Sequence, residues 1–249
     1  MFGNFLNSMY LFRTNGNWRY PGPVRALPGK ENRQPPGPEP VSRDAAAADQ
    51  RRRILAATAE LIAEQGYQET TMEEIVRRAR VGYKTFYKHY ADKQAAFLAL
   101  LEAATDRTVG RVEDAYKREE GPWADRVGAA LGVLFEDVAA HPAAARAVLV
   151  EAVAAGPEAA AKHEAALKRL APLLRPGREL NPRQAELPES LEETLAGGVV
   201  WVLGQRLIAG EADKLRGLLP ETLEFLLRPY VGEDEAAREA GEVADAISA

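Results

Sequence analysis

VRRARVGYKTFYKHYADK, residues 76–93, sets Arg77, Arg78, Arg80, Lys84, Lys88 and Lys93 against the single acid Asp92, in a chain whose net charge is −5. Just upstream, Thr71 stands three residues before Glu74, the capping-box spacing. Met72, Ile75, Val76 and Ala79 follow as an apolar stripe at i, i+3, i+4 and i+7, which predicts a short helix. Arg80 and Val81 make a turn. A second short helix then starts near Gly82 and ends near Tyr90, because Asp92 is placed to cap the next one. Phe86 and Tyr90, four apart, face inward with Val81 and leave Tyr83, Lys84, Tyr87 and Lys88 outside. Two short helices joined by a tight turn form a helix-turn-helix, and outward ammonium and phenol groups suit phosphate oxygens and base edges.

Working outward, Ile54, Thr58, Leu61 and Ile62 recur at helical spacing and Gly66-Tyr67 supplies a left-handed stop, so a first helix precedes the pair. Phe97, Leu100, Leu101 and Ala104 carry a longer helix away from it. From Ala45 almost to the end the text is helical, broken at Gly121-Pro122, His141-Pro142, Gly156-Pro157, the loop RPGRELNPRQAELPES and the acidic step near Glu211. The fold class is all-α. Residues 1–43 lack apolar periodicity and are expected to be a disordered leader. That leader is either a floppy tail, a start placed too far upstream, or a basic arm in which Arg13, Arg19, Arg25 and Arg33 enter a minor groove. The organisation is then a leader at 1–43, a helix-turn-helix domain at 44–104, a helical body at 105–232 and a C-terminal tail at 233–249.

The 249 residues carry 32 Lys plus Arg against 37 Asp plus Glu, so a nucleic-acid site has to be a local patch. Without cysteine there is no disulfide, thiolate nucleophile or Cys-ligated zinc, and a cytoplasmic location is the simple expectation. The longest apolar run, LAGGVVWVLG at 195–204, is about half the ~20 residues of a membrane span. His163-Glu164 opens like a zinc motif, but Leu167 stands where the second histidine belongs. No metal, no cofactor and no enzyme activity is expected.

TTMEEIVRRARVGYKTFYKHYADKQAAF, with the preceding RRRILAATAELIAEQGYQET, resembles the DNA-binding domain of the TetR family of bacterial one-component transcriptional regulators, over about Arg51 to Leu101. In that family the third helix enters the major groove. The resemblance implies Tyr83 and Lys84 near bases, and Thr85, Tyr87, His89 and Lys93 near backbone phosphates; Thr71 and Lys88 complete the DNA-binding candidates. Two positions depart from the family pattern: Arg80 stands where glycine is usual in the turn, and Gly82 where Ser or Thr usually caps the third helix.

Behind this domain the layout resembles the family's ligand and dimer domain. LAGGVVWVLGQRLIAG followed by LRGLLPETLEFLLRPYVG looks like a final helix pair through which two copies dimerise. Gly197 and Gly198 permit close approach, and Leu219, Leu223, Leu226 and Leu227 form either an intermolecular leucine seam or intramolecular core. Phe135, Val148, Leu149, Val153, Leu167, Leu170 and Trp201, with Glu151 and His163 as polar anchors, line either an effector pocket for an apolar, drug-sized molecule or ordinary core. The expected protein is a homodimeric repressor that binds double-stranded palindromic DNA and is released by a small molecule. The alternative is a ligand-independent architectural DNA binder.

Overall fold

The computed structural model describes residues 42–248, together with 12–14 and 17–19. The helix-turn-helix head is built from four helices whose ends are set by side chains. In α1 (Arg43–Gln65) the Ser42 hydroxyl accepts from Ala45 N–H at 3.1 Å, and the helix stops at Gly66, whose φ of 85° suits glycine. In α2 (Met72–Ala79) the Thr71–Glu74 capping box is closed in both directions. The short α3 (Tyr83–His89) starts at Gly82 without a side-chain cap. Asp92 then caps α4 (Lys93–Arg118) by accepting from Ala95 N–H at 2.7 Å. Ile54, Leu61, Ile75, Val76, Phe86, Tyr90 and Ala96 close the core of the head.

The long α4 enters the body unbroken, so the expected boundary between 104 and 105 falls inside one helix. Around Phe97, Leu100 and Leu101 a second cluster joins α1 (Ala59, Ile62) and Tyr67 to Ala147, Ala152 and Ala159 of the body. This cluster is the joint between head and body. The body continues with α5 (Trp123–Ala140), α6 (Pro142–Arg146), a π-helical turn (Ala147–Glu151), α7 (Ala152–Ala154) and α8 (Pro157–Leu170). After a run of 3₁₀ turns come α9 (Leu191–Ile208), α10 (Leu219–Val231) and α11 (Glu233–Ser248). The 3₁₀ run is fastened by Arg178, which pairs with the buried Glu192 of α9 at 2.6 and 2.9 Å, and Tyr230 of α10 donates to the same carboxylate. At Gly177 an added Cβ would collide with the Trp123 ring, so only glycine fits there.

Two segments differ from the sequence reading. Residues 233–248, expected as a tail, form α11, which buries Ala236, Ala240 and Val243 against α10. Within the leader, Phe12–Thr14 (β1) and Asn17–Arg19 (β2) pair antiparallel with Thr14 opposite Asn17. Of the four leader arginines, Arg13 and Arg19 fall in this strand pair, while Arg25 and Arg33 lie outside the described residues. Among the described residues no helix is long and apolar enough to cross a membrane.

Candidate nucleic-acid interface and body cavities

One side of α3 is spent on the core and the other is left to solvent. Phe86 is fully buried and Tyr90 nearly so, whereas Tyr83 is 48% and Tyr87 55% exposed, with Lys84 and Lys88 exposed beside them and Thr85 half-buried at the edge. Two phenol rings thus stand about half in water next to two ammonium groups on one side of a two-turn helix.

The rest of the basic patch is partly committed within the head. Arg78 is held bidentately by Glu64, both contacts 2.8 Å, with Glu60 at 3.3 Å, so its charge is offset and it ties α2 to α1. Lys93, expected at a phosphate, instead donates to the carbonyls of Tyr67 at 2.9 Å and Gln68 at 3.3 Å, and sits 4.4 Å above the Tyr67 ring. Burial lowers its pKa. Lys93 therefore stitches the start of α4 to the turn after α1, with one ammonium hydrogen left for an outside acceptor. His89 is bonded through Nε2 to Gln50 Oε1 at 3.1 Å, and burial, then Arg51 and Lys88, push its pKa below the usual histidine value. The Thr71 hydroxyl is engaged with the Glu74 carboxylate at 2.8 Å. Of the eight candidates, the structure presents Tyr83, Lys84, Tyr87, Lys88 and the edge of Thr85 outward, and turns the working atoms of Thr71, His89 and Lys93 toward neighbours in the head.

The glycine-less turn holds its shape by a device the sequence reading missed. Arg80 is the one non-glycine residue with positive φ among the described residues (φ 53°, ψ 48°). Arg53 on α1, anchored to Asp49 at 2.9 Å, donates to the carbonyls of Ala79 at 3.1 Å and Arg80 at 3.2 Å, satisfying the end of α2 from outside. A side chain in the left-handed region costs roughly 1 kcal/mol. Arg80→Gly is therefore expected to raise the stability of the head by about 1 kcal/mol in chemical denaturation; an unchanged or lower midpoint would mean that the turn is not strained at Arg80.

In the body, two adjoining cavities run along the inner face of α4. One, partly open to solvent, is lined by Val112, Tyr116, Leu131, Leu174, Val199 and their neighbours. The other is lined by Thr105, Arg107, Thr108, Val148, Leu149, His163 and Leu167. Leu134, Leu170 and Val200 line both. Five of the nine expected pocket residues, Val148, Leu149, His163, Leu167 and Leu170, are thus on these walls. Four are not. Phe135 packs into the body core instead, and Val153 is exposed on α7. Trp201 is 65% exposed, because its neighbours Val199 and Leu203 take the inner face of α9. Glu151 leaves the cavity altogether: its carboxylate accepts from Tyr67 N–H in the head at 3.0 Å.

The π-helical turn 147–151 thereby touches both regions. Val148 and Leu149 stand on the cavity wall, the Val148 carbonyl accepts from His163 Nδ1 at 3.0 Å, and Glu151 grips the head. Single π-turns inside α-helices are frequent at functional sites. A buried ion cluster, also missed from sequence, flanks the same cavity: Asp137 receives Arg107 at 3.1 Å, Arg111 at 2.5 Å and the Thr108 hydroxyl at 2.5 Å. Burial alone would raise the Asp137 pKa, but the donors from Thr108 and Arg107 outweigh it and hold the carboxyl below its ordinary value.

The leucine seam is also corrected. Leu219, Leu223, Leu226 and Leu227 are all buried in the protomer's own body core. What α9 and α10 turn outward is Trp201 and Phe225, the latter 50% exposed, around a groove that also includes Gly198, Val202 and Thr222. An added Cβ at Gly198 would lie 3.4 Å from the Phe225 ring, so the small residue lets that ring lie against α9.

With this geometry in hand, residues 54–100 match the family model of bacterial regulatory proteins, tetR family. Solved structures share the fold over most of the chain. A gamma-butyrolactone receptor (ArpA-like protein) is 24% identical with a TM-score of 0.63, covering 82% of this chain and 98% of the receptor. The fatty acid degradation regulator FadR from Bacillus halodurans is 21% identical with a TM-score of 0.62, covering 71% and 97%. FadR from Bacillus subtilis, solved with stearoyl-CoA, is 20% identical with a TM-score of 0.57, covering 71% and 97%. A search of curated proteins gave no match.

Proposed function

We propose that the chain is a TetR-family transcriptional regulator that acts in the cytoplasm as a homodimeric repressor, binding a two-fold symmetric operator through α3 of each copy and letting go when a small apolar molecule fills the body cavities; the match of residues 54–100 to that family's model supports the reading. The observation that carries the DNA-binding half is the outward row of Tyr83, Lys84, Tyr87 and Lys88 on a helix anchored inside by Phe86 and Tyr90. A single copy offers one recognition helix of two turns. Pairing about a two-fold axis lets two such helices read half-sites roughly 34–36 Å apart, or a multiple of that. The exposed Trp201–Phe225 surface on α9 and α10 supplies the apolar face for pairing.

Effector control rests on the cavities and on their connection to the head. A ligand shifts DNA affinity only by binding one arrangement of the heads better than another. Two links run from cavity wall to head: α4 itself, and the turn 147–151 with its Glu151–Tyr67 bond. Tyr67 in turn carries Lys93, so movement of the wall reaches the edge of the DNA-binding face through packed groups. Among proteins of the same fold, one is a gamma-butyrolactone receptor and another was solved with stearoyl-CoA, which supports a small-molecule occupant here.

Selection of bound sequences from a random DNA pool tests the reading. The expected outcome is a short palindrome, and Lys84→Ala is expected to cost roughly 1–3 kcal/mol at one base pair per half-site and to relax preference there. Recovery of sequences without symmetry would contradict it.

A further inference from the structure

Resting on the reading of the chain as a dimeric operator binder, we infer that Glu151 is a positioning residue for DNA recognition: its bond to Tyr67 fixes the tilt of the head on the body, and with it the spacing at which a dimer holds its two recognition helices. The joint itself is smooth. Apart from Val148, its body side is alanine, namely Ala143, Ala144, Ala147, Ala152, Ala155 and Ala159, set against Ala59, Ile62 and Tyr67 of the head and Phe97 of α4. Packing angles between helices are set by side chains large enough to form ridges that enter the grooves opposite, and a methyl group barely projects from its helix. Apolar burial is non-directional, so this surface holds the head against the body without choosing its angle. The covalent tether is α4, and a 26-residue helix bends along its length.

Direction comes from the π-helical turn. The Glu151 carboxylate accepts from Tyr67 N–H at 3.0 Å, and its oxygens lie 3.5 and 4.0 Å from where a Cβ at Gly66 would stand, beside the stop that ends α1. A hydrogen bond weakens steeply off line, and one to a carboxylate is roughly twice as strong as a neutral one, so it supplies the angle that the alanines leave open. Tyr67 passes the constraint on: its carbonyl accepts from Lys93 at the start of α4, and its ring lies 4.7 Å from Phe97. The turn is itself seated on the body. The Val148 carbonyl accepts from His163 of α8, and a Cβ on Gly204 of α9 would stand 3.7 Å from both the Leu149 carbonyl and the Val150 side chain. Glu151 therefore ties the head to α9, the helix that carries Trp201 on the proposed pairing face. On the exposed side Gln94 reaches Glu158 at 3.4 Å, a weaker tie. Successive base pairs are about 3.4 Å apart, so a shift of about 1.7 Å in each head moves the preferred half-site spacing by one base pair.

The affinity of the full chain is measured for the selected palindrome and for versions with one base pair added to or removed from its centre, alongside amide exchange at Tyr67. Glu151→Ala is expected to narrow the discrimination between spacings by about three- to tenfold, one hydrogen bond's worth, while the bases preferred within each half-site stay the same. In that variant the Tyr67 amide should exchange faster, with the helical amides of Ile75 and Phe86 still protected. Glu151→Gln keeps an oxygen acceptor for the Tyr67 amide and should restore most of the discrimination. A merely structural loss weakens every spacing alike. Equal losses on all three duplexes, unchanged affinities throughout, or unchanged Tyr67 exchange in Glu151→Ala would therefore overturn the role of Glu151. A wild type indifferent to spacing would instead defeat the dimeric reading on which that role rests.

Discussion

Trp201→Glu combined with Phe225→Glu is expected to leave a folded monomer that has lost high-affinity DNA binding. Both side chains are at least half exposed in the protomer, so replacing them with glutamate removes little of its own packing. In a two-fold interface each change acts twice, and an apolar anchor at the centre of an interface is worth on the order of 2 kcal/mol or more. Four lost anchors make about 8 kcal/mol, and each 1.4 kcal/mol is a factor of ten, so dimerisation should weaken by more than about a hundred-thousandfold. Sedimentation should show a single chain of 27.2 kDa at micromolar concentration, with helical circular dichroism unchanged. A dimer that survives both substitutions would move the interface off the outer face of α9 and α10. Charges at Leu223 and Leu226 make a different experiment: they would enter the protomer core and unfold the body rather than split a dimer.

Phe86→Ala is expected to abolish DNA binding without touching a single outward group. The ring is fully buried between α1, α2 and α3, beside Tyr90 at 6.0 Å between centroids. Truncating such a phenylalanine costs about 3–5 kcal/mol, more than a domain of this size spares. Because the body core around Trp123, Leu203, Leu223 and Tyr230 is separate, amide exchange should show the head opening while the body stays protected. Uniform loss of protection throughout would show that head and body fold as one unit. Tyr83→Phe, by contrast, should leave stability unchanged.

Local chemistry made the head readable in advance. The Thr71–Glu74 box, the Asp92 cap and the Gly66 stop each fix a helix end within a few residues of the signal, and the structure has them all. The turn at Arg80 shows the limit of such reading. Its left-handed geometry follows from position, but the Arg53 clamp that supports it comes from 27 residues earlier. Glu151 is the stronger case, since its partner Tyr67 is 84 residues away and nothing local distinguishes a carboxylate that lines a pocket from one that reaches a neighbouring domain.

For the leucines of α10 the sequence leaves two readings open for a related reason. An apolar stripe states that a face is buried and is silent on whether its own chain or another copy covers it. Here the chain covers the leucines, and the residues off the stripe, Phe225 with Trp201 opposite, stay outside. In α11 the buried stripe is Ala236, Ala240 and Val243, too small to stand out beside Glu233, Asp234 and Glu235, and only the face of α10 gives it a reason to be a helix. The cavities were half legible. Val148, Leu149, His163, Leu167 and Leu170 announce themselves as apolar wall with one polar group, whereas only the folded chain shows Glu151 turned away from that wall.

The mass of the complex on the shortest selected duplex tests the central claim most directly. Paired recognition helices predict chains bound in pairs, a fixed even number of 27.2 kDa protomers per duplex that stays the same when non-specific flanking DNA is added. One chain per duplex, or a bound mass that grows with the length of the flanks, would contradict a dimeric operator-binding regulator and leave a coating protein in its place.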